Sequence, residues 1–204
     1  TIFFTDNEWN GAALGAGGAF NSGESYLQWN TGASAINAGT VVRFSDEDKT
    51  TLAASLGAFS RVSVSGSTNY GLANSTETLY AYLGVSATAP SVFLTAITNG
   101  NFASDGSIAN TGLIQGANAM DLNGSQSTSP DFAEYNGIRS GLTSIEAYKP
   151  LIADVNNWLV DSTNGTYTTV VPNTQALTAV PVPAAVWLLG SALVGLAGLS
   201  RRRV

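Results

Sequence analysis

Asp6 and Glu8 lie beside Trp9 near the start of the chain, and Glu24 and Trp29 follow within a short stretch. Paired carboxyls next to aromatic rings are the parts of a glycosidase, where one carboxyl protonates the leaving oxygen and the other serves as base or nucleophile. The same residues also make up an ordinary polar turn between strands. Trp9, Trp29 and Trp158 have core packing as the alternative to stacking on sugar rings. A second acidic group, Asp46-Glu47-Asp48, offers hard oxygens of the kind Ca²⁺ takes. Residues 1–180 hold fourteen acidic and five basic side chains, a balance that favours cations. The triplet lacks the D-x-[DN]-x-[DN]-G spacing of a calcium loop. It reads otherwise as a solvated loop or as a helix start ahead of Lys49–Leu56. The chain has no histidine and no cysteine. That rules out a Ser-His-Asp triad, a Cys-His pair, a cysteine–histidine zinc site and any disulfide. No cofactor is expected beyond the Ca²⁺ option. Nucleic acid is not an expected partner, because a phosphate backbone calls for a basic stripe. The residues therefore favour a non-enzymatic protein, with a carboxylate-based, carbohydrate-active hydrolase as the alternative.

The elements that would position these residues read as short strands. The chain has 204 residues, 11% of them charged and 44% apolar. Nineteen aromatic residues argue against disorder. Short apolar blocks separated by Gly, Asn and Ser clusters argue for an all-β domain rich in turns. Strands are expected at Ile2–Phe4, Ser25–Trp29, Thr40–Phe44, Ala58–Val64, Thr78–Leu83, Val92–Ile97, Ala117–Leu122 and Tyr167–Val171. A glycine-rich loop is expected over Gly11–Gly23. Ile145, Tyr148, Ile152, Val155 and Leu159 recur at helical spacing, which predicts one short helix from about Pro150 to Trp158. Asn74-Ser75-Thr76, Asn123-Gly124-Ser125 and Asn164-Gly165-Thr166 match the glycosylation pattern, as the abundance of Asn, Ser and Thr makes easy.

The end of the chain has a different composition. Val182–Leu199 contains no charge and is about long enough for a bilayer core. Arg201, Arg202 and Arg203 follow it, which by the positive-inside bias places the C-terminus in the cytoplasm. Val180-Pro181-Val182-Pro183-Ala184 precedes it, with two prolines that hold the backbone extended. The organisation expected is an exported β-sandwich domain over 1–171, a polar linker over 172–180, and a tail over 181–204 containing a transmembrane helix. The chain opens at Thr1 inside Ile2-Phe3-Phe4, with no basic segment, apolar segment or cleavage site of an export signal. Residue 1 is therefore expected to lie downstream of the true start.

The order of extended motif, apolar segment and arginine cluster resembles the PEP-CTERM sorting signals of Gram-negative bacteria, in their VPxPA variant. That resemblance implies export, an inner-membrane-anchored precursor, and processing near the motif by an exosortase-type enzyme. It also implies a place at the cell surface or in an extracellular, polysaccharide-rich biofilm matrix. Val182 stands where the parent motif has Glu. A second resemblance rests on Phe4-Thr5-Asp6-Asn7-Glu8-Trp9, Ala38-Gly39-Thr40-Val41-Val42, Glu77-Thr78-Leu79-Tyr80-Ala81-Tyr82 and Asn156-Asn157-Trp158. These blocks are similar to lamin-tail-like domains of bacterial secreted and surface proteins, which implies an Ig-like β-sandwich at an exported location. The reading expected of the whole chain is a structural or adhesive role at the cell surface or in the matrix.

Overall fold

The computed structural model of the chain describes residues 1–33, 35–73, 76–125, 130–161 and 170–180. The protein is mainly β, with several sheets and one short α-helix, consistent with a sandwich-like fold. In chain order the elements are β1 (Ile2–Thr5), β2 (Tyr26–Asn30), β3 (Phe44–Ser45), β4 (Ala53–Ala54), β5 (Ala58–Val62), β6 (Thr78–Ser86) and β7 (Ala89–Thr98). They continue as β8 (Ala119–Asp121), β9 (Phe132–Tyr135), β10 (Ser140–Leu142), α1 (Lys149–Ile152), β11 (Trp158–Asp161) and β12 (Thr178–Ala179).

The main sheet has six strands in the order β5-β2-β1-β6-β7-β8. Within it, the β7–β8 pairing is parallel and the others are antiparallel. β1 lies in the interior, with Phe3 opposite Gln28 on one side and opposite Tyr82 on the other. Side chains alternate between the two faces of a strand. One face therefore carries Phe3, Thr5, Tyr26, Tyr80, Tyr82 and Ala96. The other carries Phe4, Leu27, Trp29, Phe59, Leu79 and Ile97.

The first face holds the main core. Phe3, Tyr26, Tyr80, Tyr82 and Phe93 are buried there under Trp9, with Phe20 and Leu14 packed against them. The stretch expected as a glycine-rich loop supplies this cover. Trp9 and Phe20 form an isolated bridge and meet edge to face at 5.2 Å. Gly18 lies directly against the Trp9 ring, where a Cβ would overlap its carbons. Burial pushes the Tyr80 and Tyr82 phenols well above their usual range, so both stay neutral.

The second face is covered by smaller pieces. Phe44 packs on Phe4, Trp29 and Phe59, with ring centroids 5.2, 5.7 and 4.4 Å apart. The β9–β11 ribbon and residues 170–174 lie along the same side, where the lining of the clefts brings them against Leu79 and Ile97.

Several expected elements have different bounds. The expected strand over Thr40–Phe44 is reduced to Phe44–Ser45, because Thr40 N–H turns back to the Asn37 carbonyl and Arg43 N–H bonds the Ser55 hydroxyl. The expected helix over Pro150–Trp158 is a single turn. Asp154 is extended, with φ −91° and ψ 111°, and its carboxylate accepts the Asn156 N–H to start a 3₁₀ turn. Trp158 then begins a strand paired with β9. Val170 and Val171 belong to no strand, and residues 167–169 of that expected strand lie outside the described residues. The same is true of Pro181–Ala184, the apolar segment, Arg201–Arg203, Asn74 and Asn164. Among the described residues no helix is long and apolar enough to cross a membrane.

Residues 172–180, placed between domain and tail by the sequence, run along the domain. Leu177 N–H donates to the Gly39 carbonyl at 2.8 Å, Thr178 N–H to the Arg139 carbonyl at 2.8 Å, and Val180 N–H to the Leu142 carbonyl at 2.8 Å. Tyr148, fully buried, donates its hydroxyl to the Thr178 carbonyl at 2.8 Å.

Candidate functional site

The turn after β1 is built around Asn7, which is fully buried. Its side-chain N–H groups donate to the Thr5 hydroxyl at 2.9 Å and the Glu24 carbonyl at 3.0 Å, and its Oδ1 accepts the Glu24 N–H at 3.1 Å. The Thr5 hydroxyl in turn donates to the Ser25 carbonyl at 2.9 Å. These bonds tie the Asp6-Asn7 corner to the start of β2. They leave Asp6 on the same side of the sheet as Phe4, facing the second, incompletely covered face.

Asp6 is 6% exposed. Its carboxyl is hydrogen-bonded to that of Glu77, which stands just ahead of β6. Burial pushes Asp6 up to about 8, and the nearby Glu77 and Glu24 charges push the same way. Burial also raises Glu77, while hydrogen bonds from the Ala73 backbone and Asp6 oppose the rise. Two carboxyls in contact cannot both ionise cheaply, so the pair holds one proton and one negative charge around neutral pH.

The pair sits between two lobes of one cleft. The first, about 500 Å³, is lined by Phe4, Leu27, Val42, Phe59 and Ile97, with Asp6 in its wall. The second, about 440 Å³, lies between the sheet and the β9–β11 ribbon, and Glu77, Asp131, Phe132 and Trp158 line it. Leu72, Leu79, Ile97 and Glu47 border both. An apolar body with a few converging polar groups is the usual make-up of a small-molecule site.

The sequence-derived candidates scatter. Glu8 is exposed and exchanges hydrogen bonds with Asn21 at 2.8 and 3.1 Å. Glu24 accepts from Asn69 at 2.9 Å. Asp46, Glu47 and Asp48 form a solvated turn, not a helix start. Asp46 has φ 63°, the Asp46 carbonyl accepts the Lys49 N–H at 2.9 Å, and Asp48 pairs with Lys49 in solvent. The Lys49 hydrogen bond holds Asp48 below the usual carboxylate range. Among the described residues no group of three or more acidic side chains is placed to hold a metal ion. Trp9 and Trp29 are buried, and the Trp29 indole donates to the Leu56 carbonyl at 2.7 Å. Trp158 is partly exposed in the second lobe.

Glu77 carries no signal in the sequence that marks it as a chemical group. Only its strand-alternation with Leu79 and Ala81, joined to the β1–β6 pairing, reveals that it meets Asp6. No family model, curated protein or solved structure matches the chain.

Proposed function

We propose that this chain is a non-enzymatic exported protein with a structural or adhesive role at the cell surface or in an extracellular matrix. In this reading its β-domain is a lamin-tail-like sandwich. The uncharged stretch Val182–Leu199 supplies a transmembrane helix that holds the precursor in the inner membrane with Arg201–Arg203 in the cytoplasm. An exosortase-type enzyme acts at Val180–Ala184. The observation that carries the reading is the order of residues 180–204: an extended Val-Pro-Val-Pro-Ala motif, an uncharged stretch and three arginines.

Val180, the first residue of the motif, donates its N–H to the Leu142 carbonyl at 2.8 Å, so the motif begins on the edge of the domain. The direct contact between Asp6 and Glu77 also favours a non-catalytic role. Glycoside hydrolysis needs two carboxyls about 5 to 9.5 Å apart, with room for a sugar carbon or a water between them. A hydrogen-bonded pair is closer than that.

The test is mass spectrometry of the C-terminal peptide of the protein isolated from its host. A mature chain ending within Val180–Ala184 is expected. A chain still carrying Trp187 and the arginines, recovered with membranes, overturns the sorting mechanism and leaves an ordinary anchored ectodomain.

A further inference from the structure

The five basic side chains of residues 1–180 are Arg43, Lys49, Arg61, Arg139 and Lys149, and Arg43 differs from the others. Lys49 pairs with Asp48, and Lys149 with Glu146. Arg61 donates to the Glu47 and Lys49 carbonyls and lies over the Tyr70 ring at 3.7 Å. Arg139 donates to the Tyr135 and Gln175 carbonyls. Arg43 uses its backbone N–H on the Ser55 hydroxyl, but among the described residues its guanidinium has no hydrogen-bond or ion-pair partner. The residue is nonetheless partly buried, in the wall of the first, apolar lobe of the cleft. A guanidinium drawn partly out of water without an acceptor carries a desolvation cost, which a bound anion offsets.

The remainder of the lobe sets the body of that anion. Its volume, about 500 Å³, lies within the range of about 300 to 1,000 Å³ common to small-molecule pockets. Phe4, Leu27, Phe59, Leu79 and Ile97 give it apolar walls. Two of its polar groups are already engaged. The Thr5 hydroxyl donates to the Ser25 carbonyl, and Asp6 is bonded to Glu77 and keeps its proton around neutral pH because it is buried. A sugar or a peptide would leave several polar groups unpaired against these walls. Glu47 stands on the same lining, but the Lys49 charge acts on it and the Arg61 guanidinium holds its carbonyl. A cationic amphiphile would bring its charge against Arg43. We infer that the apolar lobe binds an aliphatic carboxylic acid of the fatty-acid type, with its chain against Leu27, Leu79 and Ile97 and its carboxylate on the Arg43 guanidinium.

The test is titration calorimetry of the full chain at pH 7 and low ionic strength, in a steroid-based detergent whose rigid body does not mimic the ligand. The probes are decanoate, its uncharged twin decanol and its cationic twin decylammonium. Decanoate is expected to bind about tenfold tighter than decanol, the contribution of one charge-assisted contact, and decylammonium more weakly than either. Arg43→Gln is expected to remove the preference for decanoate while leaving decanol within about twofold, a split that general damage to the fold does not produce. Lys149→Gln removes the same charge outside the lobe and is expected to leave all three affinities unchanged. In the parent protein, which needs no variant to fold, decanoate is expected to shift the methyl resonances of Leu79 and Ile97 and to spare that of Val85, exposed near the tip of the β6–β7 hairpin. No binding of decanoate, equal binding of decanoate and decanol, tighter binding of decylammonium, or an Arg43→Gln that keeps the preference each overturns the inference. So does an equal loss in Lys149→Gln, or a shift at Val85 without one at Leu79 and Ile97. The tail test reads other residues, so the two proposals fail separately.

Discussion

Asp6 keeps a proton that a surface carboxyl would have lost, and this gives the protein an inverted pH response. Its folded-state value, about 8, lies above the value near 3.9 of an unfolded Asp. The folded state therefore binds the proton more tightly, and Glu77 is displaced in the same direction. The stability gained this way is fully present below about pH 4 and is lost as pH rises toward 8. A tenfold difference in proton affinity between the folded and unfolded states corresponds to about 1.4 kcal/mol, so the loss is of the order of several kcal/mol. Urea denaturation at pH 5 and pH 8.5 should show the midpoint of the parent falling, and that of Asp6→Asn staying nearly level and above the parent at the higher pH. A parent midpoint that rises over this range would mean that Asp6 is ionised in the fold. Asn7 beside it does purely structural work: Asn7→Ala strips the corner of its bonds to Thr5 and Glu24. The cost should be about 3 kcal/mol at either pH, from lost bonds plus stranded partners. The difference between the two variants separates a titrating residue from a fastening one.

Which elements can be read in the sequence depends on how local their cause is. β1, β2, β5, β6 and β7 show as short apolar blocks within their own residues, with apolar–polar alternation in β5, and each lies within a few residues of where its block puts it. β9 and β11 are only four residues long and exist because they pair with each other, Phe132 with Asp161 and Tyr135 with Trp158. Nothing within Phe132–Tyr135 announces a partner so far along the chain. The helical spacing of Ile145, Tyr148 and Ile152 does belong to turns of helix, but Asp154 ends them and hands Val155–Asn157 to a 3₁₀ turn. The candidate site follows the same rule. Asp6 is conspicuous beside Trp9, whereas Glu77 becomes its partner only when β1 and β6 align. The residue 170–180 strap is equally nonlocal, and it hinges on Gly39. At φ +87° this residue suits glycine, and a Cβ there would overlap the Leu177 carbonyl oxygen. Gly39→Ala should therefore cost about 2 kcal/mol and abolish hydrogen-exchange protection at Leu177, Thr178 and Val180. Gly15, with φ +71° and open space around it, is the control. Gly15→Ala carries a similar backbone penalty and should leave those three amides protected.

For the molecule as a whole, charge contributes little to cohesion. The ion pairs among the described residues, Lys49–Asp48 and Lys149–Glu146, are both exposed, and such pairs contribute about 0 to 1 kcal/mol. Cohesion comes from the aromatic core on one face and from backbone pairing that closes the other. The strap is the last piece of that closure. Pro172, Asn173 and Thr174 line the apolar lobe, Asn173 N–H donates to the Glu134 carboxylate at 2.7 Å, and the Arg139 guanidinium donates to the Gln175 carbonyl at 2.9 Å. A chain ending at Val180 keeps all of these contacts. A chain ending at Pro172 loses all but the contact of Pro172 itself. Its melting midpoint should fall, because the Gly39, Arg139 and Leu142 carbonyls lose their donors. The apolar lobe should open at the same time, which an increase in binding of a hydrophobic dye by folded protein would report. Equal midpoints for the two truncations would make residues 173–180 a passive connection. Unequal midpoints would put residues 173–180 inside the cooperative domain, so that an enzyme acting upstream of Val180 must first peel β12 from β10.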